Sequence, residues 1–592
     1  MCGIVGIINF KENRVNGDIL KKMLGTLSHR GPDEKGFYVS ENIGLGHARL
    51  KIIDLSERAR QPMSNANKSI FITYNGEVYN YKELRGELIS KGYKFQSESD
   101  TEVVLHAYEE WGFGCLAHFI GMWAFAIWDA QKRILFASRD RLGIKPFYYF
   151  YNGNIFIFAS EIKAILEHPL IKRYADVQSI YEYLYLGYSL DDRTWIKGVH
   201  RLNPAHYLIL DKGDLFVKGY WKPEINPDYS LSEEKASFGL GKLLTESVQL
   251  MLRADVEVGV HLSGGIDSSS ITAIANRVSM QKIRTFSGVF DEGSDFDESK
   301  CIKEFTDKYG LINEKITIKS DNFIENMKEI IWHMDEPVVG PGTYSQFFLS
   351  KLINSCGIKV VLGGQGGDEL FGGYPYYYSG ILSSIHQLMK SHKNNEYRKY
   401  YKAKDFCLKF APFYLRRYLS GFLSLRRNRL GRILSKDIIR QINFDDLEER
   451  AGFYKGSFEE MELWDLNNYL PALLQVEDRL SMAFSVETRL PFLNHSLVEF
   501  ALKIPFYLKL NSFNFKYILR IAMKNELPKF IFDRIDKKGF LIPVKAWLKD
   551  SKLCRDIASE VSIAAPRFFI DRKLTWEKLN IELCLQMFKI NL

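Results

Sequence analysis

VEVGVHLSGGIDSSSITAIANRVS (256–279) decides the fold of the second half: an apolar run ends at Leu262, a turn follows at Ser263, Gly264 and Gly265, and helical spacing begins at about Ser268. The alternation continues through IRTFSGVF (283–290), ESKCIKEFTDKYG (298–310), NEKITI (313–318), a helical run from Ile324 to Met334 and the apolar IKVVL (358–362). Strands alternating with helices predict βαβ units and an α/β doubly wound parallel sheet, whose ligands bind beyond the carboxyl ends of the strands. After Leu382 the pattern is mostly helical, so residues 235–592 read as one α/β unit with appended helices, including a basic helical insertion at about 383–440.

Upstream the grammar differs. SIFITYNGEVYN (69–80), GMWAFAIWD (121–129), RILFASRD (133–140) and IFIFASEI (155–162) are strand-like, while TEVVLHAYEEW (101–111) has helical spacing. Residues 1–215 therefore predict an α+β unit of stacked antiparallel sheets between helices. Residues 216–234, including WKPEINPDYSLSEE (221–234), carry two prolines and lose the apolar period, which marks a linker.

At 592 residues the chain exceeds what one core can serve. No apolar run reaches the roughly 18 residues of a membrane helix, and MCGIVGIINFKEN lacks the basic flank of a signal peptide, so a cytoplasmic protein without a membrane span is expected. Seven cysteines without CxxC spacing form neither a disulfide framework nor a zinc site. The net charge of +8 is concentrated between Lys390 and Arg440, at Arg416, Arg417, Arg426, Arg427, Arg429 and Arg432, rather than in a stripe, so no nucleic acid partner is expected. A homodimer is compatible with the sequence.

Removal of Met1 would give Cys2 both a thiol and a free α-amine of pKa ~8, which can serve the thiol as general base. Residues suited to a small amide substrate follow: Arg49 in HARL, Asn75, Gly76 and Glu77 in YNGE, and Asp100 in ESDTE. An Asn amide beside a Gly N–H supplies two oxyanion donors; an Arg can hold an α-carboxylate and an Asp an ammonium group. Taken singly they are ordinary, since Asn-Gly is a common hairpin turn. Together with HRGPD (29–33), MCGIVGI, HARL, YNGE and SDTE in this order resemble the class II glutamine amidotransferases, the N-terminal-nucleophile glutaminases. The resemblance implies Cys2 as nucleophile, Asn75 and Gly76 as oxyanion hole, and a glutamine pocket of Arg49, Ile53, Asn75, Gly76, Glu77 and Asp100.

In the second half, Ser263, Gly264 and Gly265 let backbone N–H groups approach an anion at a helix N-terminus. With Asp267 and Ser268 they resemble the SGGxDSS loop of ATP pyrophosphatases. VVLGGQGGDELFGGY (360–374) places a second Gly-rich turn after a strand, and Asp267 with Asp368 could share Mg²⁺ with a triphosphate; Asp368 as a helix cap is the alternative. The combination resembles the glutamine-hydrolysing asparagine synthetase family over nearly the whole chain, with LSMAFSVETRLPFLN (480–494) and RIDKKGFLIPVKAW (534–547) matching its C-terminal motifs. That resemblance implies ATP contacts at Leu262, Gly288, Gly363 and Gly364, catalytic roles for Lys537 and Tyr374, adenylation of aspartate, and ammonia delivered through an internal tunnel.

One departure concerns the acceptor. Where that family shows SGEGSDE, this chain has Gly363, Gly364, Gln365, Gly366, Gly367, Asp368 and Glu369, so a neutral amide replaces an acid. The alternatives are another acceptor carboxylate, such as a uronic acid, and a scaffold relative without turnover; retained Cys2 argues against β-lactam synthetase relatives.

Overall fold

The computed structural model describes residues 1–10, 14–290, 298–390, 434–450, 456–511, 514–534, 542, 547 and 576–591. Lys537, the basic run from 391 to 433 and most of RIDKKGFLIPVKAW lie outside the described residues.

The first half stacks two six-stranded sheets. Gly3–Asn9 runs through the interior of one, antiparallel to both Ile43–Arg49 and Ile155–Ala159. Ile70–Val78 and Gly121–Asp129 pair at the heart of the other. Ile4 and Ile8 pack with Ala124, Ala126 and Trp128 between the sheets, whereas Val5 and Ile7 pack with Leu20 and Leu24 of the helix Gly17–Gly25. Both faces of this strand are buried, which is why GIVGII is continuously apolar instead of alternating. On the far side, Tyr108 of the helix Asp100–Trp111 stacks on Phe136 of the second sheet. The expected α+β arrangement of stacked antiparallel sheets between helices is therefore present.

In the second half the strands lie in the order Ile312–Thr317, Arg284–Val289, Val258–His261, Val360–Leu362 and Glu487–Arg489, with every neighbour parallel. In sequence terms the order is 3-2-1-4-5, so its direction reverses between the first and fourth strands, where Val258–His261 adjoins Val360–Leu362. At such a switch point the loops leaving adjacent strands diverge and open a crevice. The two Gly-rich turns leave these two strands.

Two local expectations change. Asp214–Gly219 pairs along His206–Asp211 through a tight turn at Lys212 and Gly213, where Gly213 stands at φ +96°, so the front sheet runs past residue 215 into the segment expected as linker. The helix after the SGG turn begins at Ile266, two residues earlier than Ser268, which puts Asp267 in its first turn. Asn75 and Gly76 lie inside the strand Ile70–Val78, as the strand-like reading of residues 69–80 expects, and not in the hairpin turn that Asn-Gly often forms. A Cβ on Gly76 would stand 2.3 Å from the Met122 carbonyl oxygen, so glycine is what lets the two strands close at this point. Among the described residues no helix is long and apolar enough to cross a membrane.

Candidate active site

Cys2 precedes the interior strand of the first sheet and is buried, with 8% of its surface exposed. Its backbone N–H donates to Asn75 Oδ1 at 2.9 Å, and its carbonyl accepts from Arg30 Nε at 3.1 Å. Asn75 is fully buried, yet its Nδ2 has no hydrogen-bond partner among the described residues. Such a donor costs about 1–3 kcal/mol, a penalty usually tolerated where the group has work to do. Beside a thiol, an unpartnered amide can receive the oxyanion of a tetrahedral intermediate. Burial pushes the Cys2 thiol up, against the nearby Met1 ammonium, a hydrogen bond to the Leu50 backbone and the Arg49 charge. The thiol is thus protonated at rest and needs a base.

Met1 is in place, so the nitrogen of Cys2 is an amide, and the terminal ammonium lies 3.5 Å from Glu487 Oε2. Three carboxyls gather here: Glu77, Asp100 and Glu487. Asp100 Oδ2 accepts from the Tyr74 hydroxyl at 2.8 Å and the Val78 N–H at 3.0 Å, and burial pushes its carboxyl up to about 6. Burial and the charges of Asp100 and Glu487 hold Glu77 well above the usual carboxylate range. Arg489 offsets them, with Nη2 3.7 Å from Glu77 and Nε 2.6 Å from Glu487. An acidic, buried pocket of this kind suits the ammonium group of an amino acid. Glu487 and Arg489 come from the edge strand of the other half, and their only trace in the sequence is their place in LSMAFSVETRLPFLN. Arg49 is engaged with Glu34 at 3.2 Å, Ser56 O at 2.8 Å and Asp54 O, so a substrate carboxylate has to compete with these acceptors. Ile53 is buried in the same apolar cluster as Met1.

The rear cavity, about 270 Å³, opens at the switch point. Its lining includes Leu262, Ser263, Gly265, Asp267, Ser268, Gly363, Gly364 and Asp368. Gly264 adopts φ +75°, a left-handed conformation natural to glycine. Gly265 caps the helix Ile266–Val278 without a side-chain hydrogen bond, which leaves that helix start to an anion. A Cβ on Gly367 would meet the Asp267 carboxylate at 2.7 Å, so the glycines of the second loop let it pack onto the first. Gly366 is the N-cap of the helix Gly367–Phe371; Asp368 sits inside the first turn and is not the cap.

Lys516 joins the two loops. Its ammonium contacts Asp267 and lies 2.7 Å from Asp368 Oδ1. Burial works against its charge, but the two carboxylates hold it well above the ordinary lysine range. It stands at φ +54°, a strained conformation for a non-glycine residue and a common mark of function. Sequence reasoning missed Lys516 because nothing around FNFKYILR distinguishes it from a surface lysine. Gly288 lies near the end of the strand Arg284–Val289, outside the residues that line the cavity. Tyr374 is also outside that lining; its hydroxyl donates to Glu369 at 2.5 Å and its ring stacks on Tyr376.

The sites meet across a charged seam. Arg30, whose Nε holds the Cys2 carbonyl, reaches Glu161 and Asp478 at 2.9 Å each. Lys145 lies 3.4 Å from Asp478, and Arg479 bridges Glu161 at 2.9 Å and Asp335 at 3.2 Å. The helix Leu470–Met482 thus grips the front half through Asp478 and Arg479 while Glu477 faces the rear cavity.

Comparison with known proteins agrees with this division. Residues 1–221 match the glutamine amidotransferase domain family and residues 239–581 the asparagine synthase family. The chain is 34% identical to asparagine synthetase [glutamine-hydrolyzing] 3 of Bacillus subtilis, covering 94% of this chain and 91% of that one. It is 38% identical over 66% of its length to a putative asparagine synthetase [glutamine-hydrolyzing] 2 of Methanocaldococcus jannaschii, covering 79% of that relative. It is also 29% identical, over 92% of its length and 90% of the relative's, to amidase chry2 of Gibberella zeae. An amide donor beside a buried cysteine, a phosphate-ready turn at a switch point, and family matches to each half place this chain in the glutamine-hydrolysing asparagine synthetase family, as an amidotransferase that uses ATP.

Proposed function

We propose that this enzyme releases ammonia from glutamine at Cys2 and transfers it to the adenylated side-chain carboxylate of aspartate, giving asparagine, glutamate, AMP and pyrophosphate. The observation that carries the reading is the unpartnered Asn75 amide beside Cys2, in one molecule with a cavity whose two Gly-rich loops share a lysine.

In the front half, loss of Met1 would free the α-amine of Cys2 to take the thiol proton. Asn75 Nδ2 and the Gly76 N–H would hold the oxyanion, and Glu77 and Asp100, with Glu487, would hold the glutamine ammonium where the Met1 ammonium now lies. Arg49 would take the carboxylate.

In the rear half, the SGG turn and helix start would bind phosphates. Asp267 and Asp368 fit Mg²⁺, since both already reach one cation and Mg²⁺ commonly uses one or two carboxylates plus substrate phosphates. When bound, Mg²⁺ would neutralise triphosphate charge. Lys516 holds both carboxylates in place, and Arg534, 3.1 Å from the Gly264 carbonyl, steadies the turn.

A second acceptor class is favoured by Gln365, which replaces an acid with a neutral amide: another small carboxylate, such as a uronic acid. ATP–pyrophosphate exchange with aspartate and glucuronate in parallel decides between them. Exchange with glucuronate and none with aspartate would overturn the asparagine assignment.

A further inference from the structure

Forming an amide from an acyl adenylate requires a proton acceptor. The nitrogen of ammonia becomes an ammonium when it adds to carbon, and that proton has to leave before AMP can depart cleanly. The acids among the described residues lining the rear cavity are Asp267, Glu298, Asp368 and Glu477. Asp267 and Asp368 are held by Lys516, and Glu298 lies 2.6 Å from Arg534. These cations keep their carboxylates ionised and poor as bases.

Glu477 differs. It accepts from a neutral amide, Gln346 Nε2, at 2.9 Å. Its position matters as much, because the next residue in the helix, Asp478, binds Lys145 and Arg30, and Arg30 holds the Cys2 carbonyl. Glu477 therefore stands on the cavity wall that faces the glutaminase half, the side from which ammonia would arrive. Gln365, on the same cavity, cannot take a proton.

Building on the two half-reactions proposed above, we infer that Glu477 is a catalytic residue, the carboxylate that deprotonates the incoming amine during amide formation. The ammonia lone pair forms the C–N bond as the carbonyl π pair moves to oxygen, and a proton passes from nitrogen to Glu477. The oxyanion then collapses, the C–O bond to phosphate breaks, and the electron pair leaves with AMP. Burial and the Asp478 charge, opposed by the Thr488 hydroxyl, Lys145 and the Gln346 amide, push the Glu477 carboxyl up to about 7, which suits a group that gains and returns a proton near neutrality.

The test is E477Q in the full chain, assayed with aspartate and with glucuronate, and with glutamine or ammonium chloride as nitrogen source. Expected is pyrophosphate exchange within about threefold of the unaltered enzyme, while amide formation falls by about 10²–10³ from either nitrogen source, as loss of a general base would cause. The amidation profile should also lose its acidic limb, and E477Q/Q365E, which restores a carboxylate to the cavity, should recover part of the rate. Unchanged amidation in E477Q overturns the inference, and so does a parallel loss of exchange, which would make Glu477 an acceptor-binding group. If E477Q loses its glutaminase and hence its fold, E477D has to show the same separation of exchange from amidation; failure to do so is equally fatal. Absence of amidation of both acids by the unaltered enzyme would instead overturn the proposed function beneath it.

Discussion

In the front site Glu77, Asp100 and Glu487 crowd a buried pocket around a single guanidinium and the chain's own amine, and two of the three carboxyls are held above their usual range. In the rear cavity Asp267 and Asp368 share Lys516, Glu298 pairs with Arg534, and Glu477 accepts from an amide. Carboxyls held above their usual range by burial and by one another gain their charge more readily when a cation enters beside them. A pocket whose carboxylates are partly offset by lysine and arginine opposes the polyanion of a nucleotide less. The halves share a seam but have opposite electrostatic tasks, and substitutions should separate them.

The largest separation is expected from Cys2→Ala, which should lower glutamine-dependent amidation and glutamate release by at least about 10³. Amidation driven by ammonium chloride should persist. If it falls equally, the two sites do not work as independent halves. Lys516→Met is the converse. It leaves Asp267 and Asp368 facing one another and removes a charge near the phosphates, so pyrophosphate exchange should fall by about 10²–10³ while glutamate release continues. Lys516→Arg should recover only part of the loss, because a planar fork replaces a point charge between two loops. Equal exchange by Lys516→Met and the unaltered enzyme would remove lysine from the nucleotide site.

How much of each site the sequence discloses follows from where its residues come from. Cys2, Asn75, Gly76 and Asp100 were legible because each sits at or within a strand or helix whose own pattern is local, and their order matches a motif series. The SGGIDSS turn was legible for the same reason, as a strand, turn and helix in direct succession. Glu487, Arg489 and Lys516 were not. They reach their sites across the seam or across the sheet, through a three-residue strand and a strained helix start that no periodicity announces. Glu477 was equally hidden, because the helix Leu470–Met482 sends consecutive residues to different sites, which a sequence pattern cannot reveal. Asn75 and Gly76 fall inside SIFITYNGEVYN, read as strand-like, but only the contact with Met122 shows why glycine is needed there.

Asn75→Ala sharpens the front half further. It removes the buried Nδ2 donor together with the acceptor for the Cys2 N–H, so kcat for glutamate release should fall by about 10²–10³ with little change in pyrophosphate exchange. A rise in KM alone would mean that Asn75 binds glutamine in its ground state and does not act on the oxyanion.

The smallest effect is one of stability. Asp100 has a folded pKa of about 6 against 3.8 for a free side chain, with burial as the main cause. The folded chain therefore holds the extra proton between those values, and stability falls as pH rises through that window. The ionised carboxylate costs about 3 kcal/mol at neutral pH. Asp100→Asn keeps an oxygen that can accept from Tyr74 and Val78 but has nothing to ionise. Its unfolding midpoint, followed between pH 4 and 6.5, should decline less steeply than that of the unaltered chain. An identical decline in both would assign the titration elsewhere, with Glu77 as the nearest carboxyl raised in the same way, and would remove Asp100 from the mutually raised carboxyls of the front pocket.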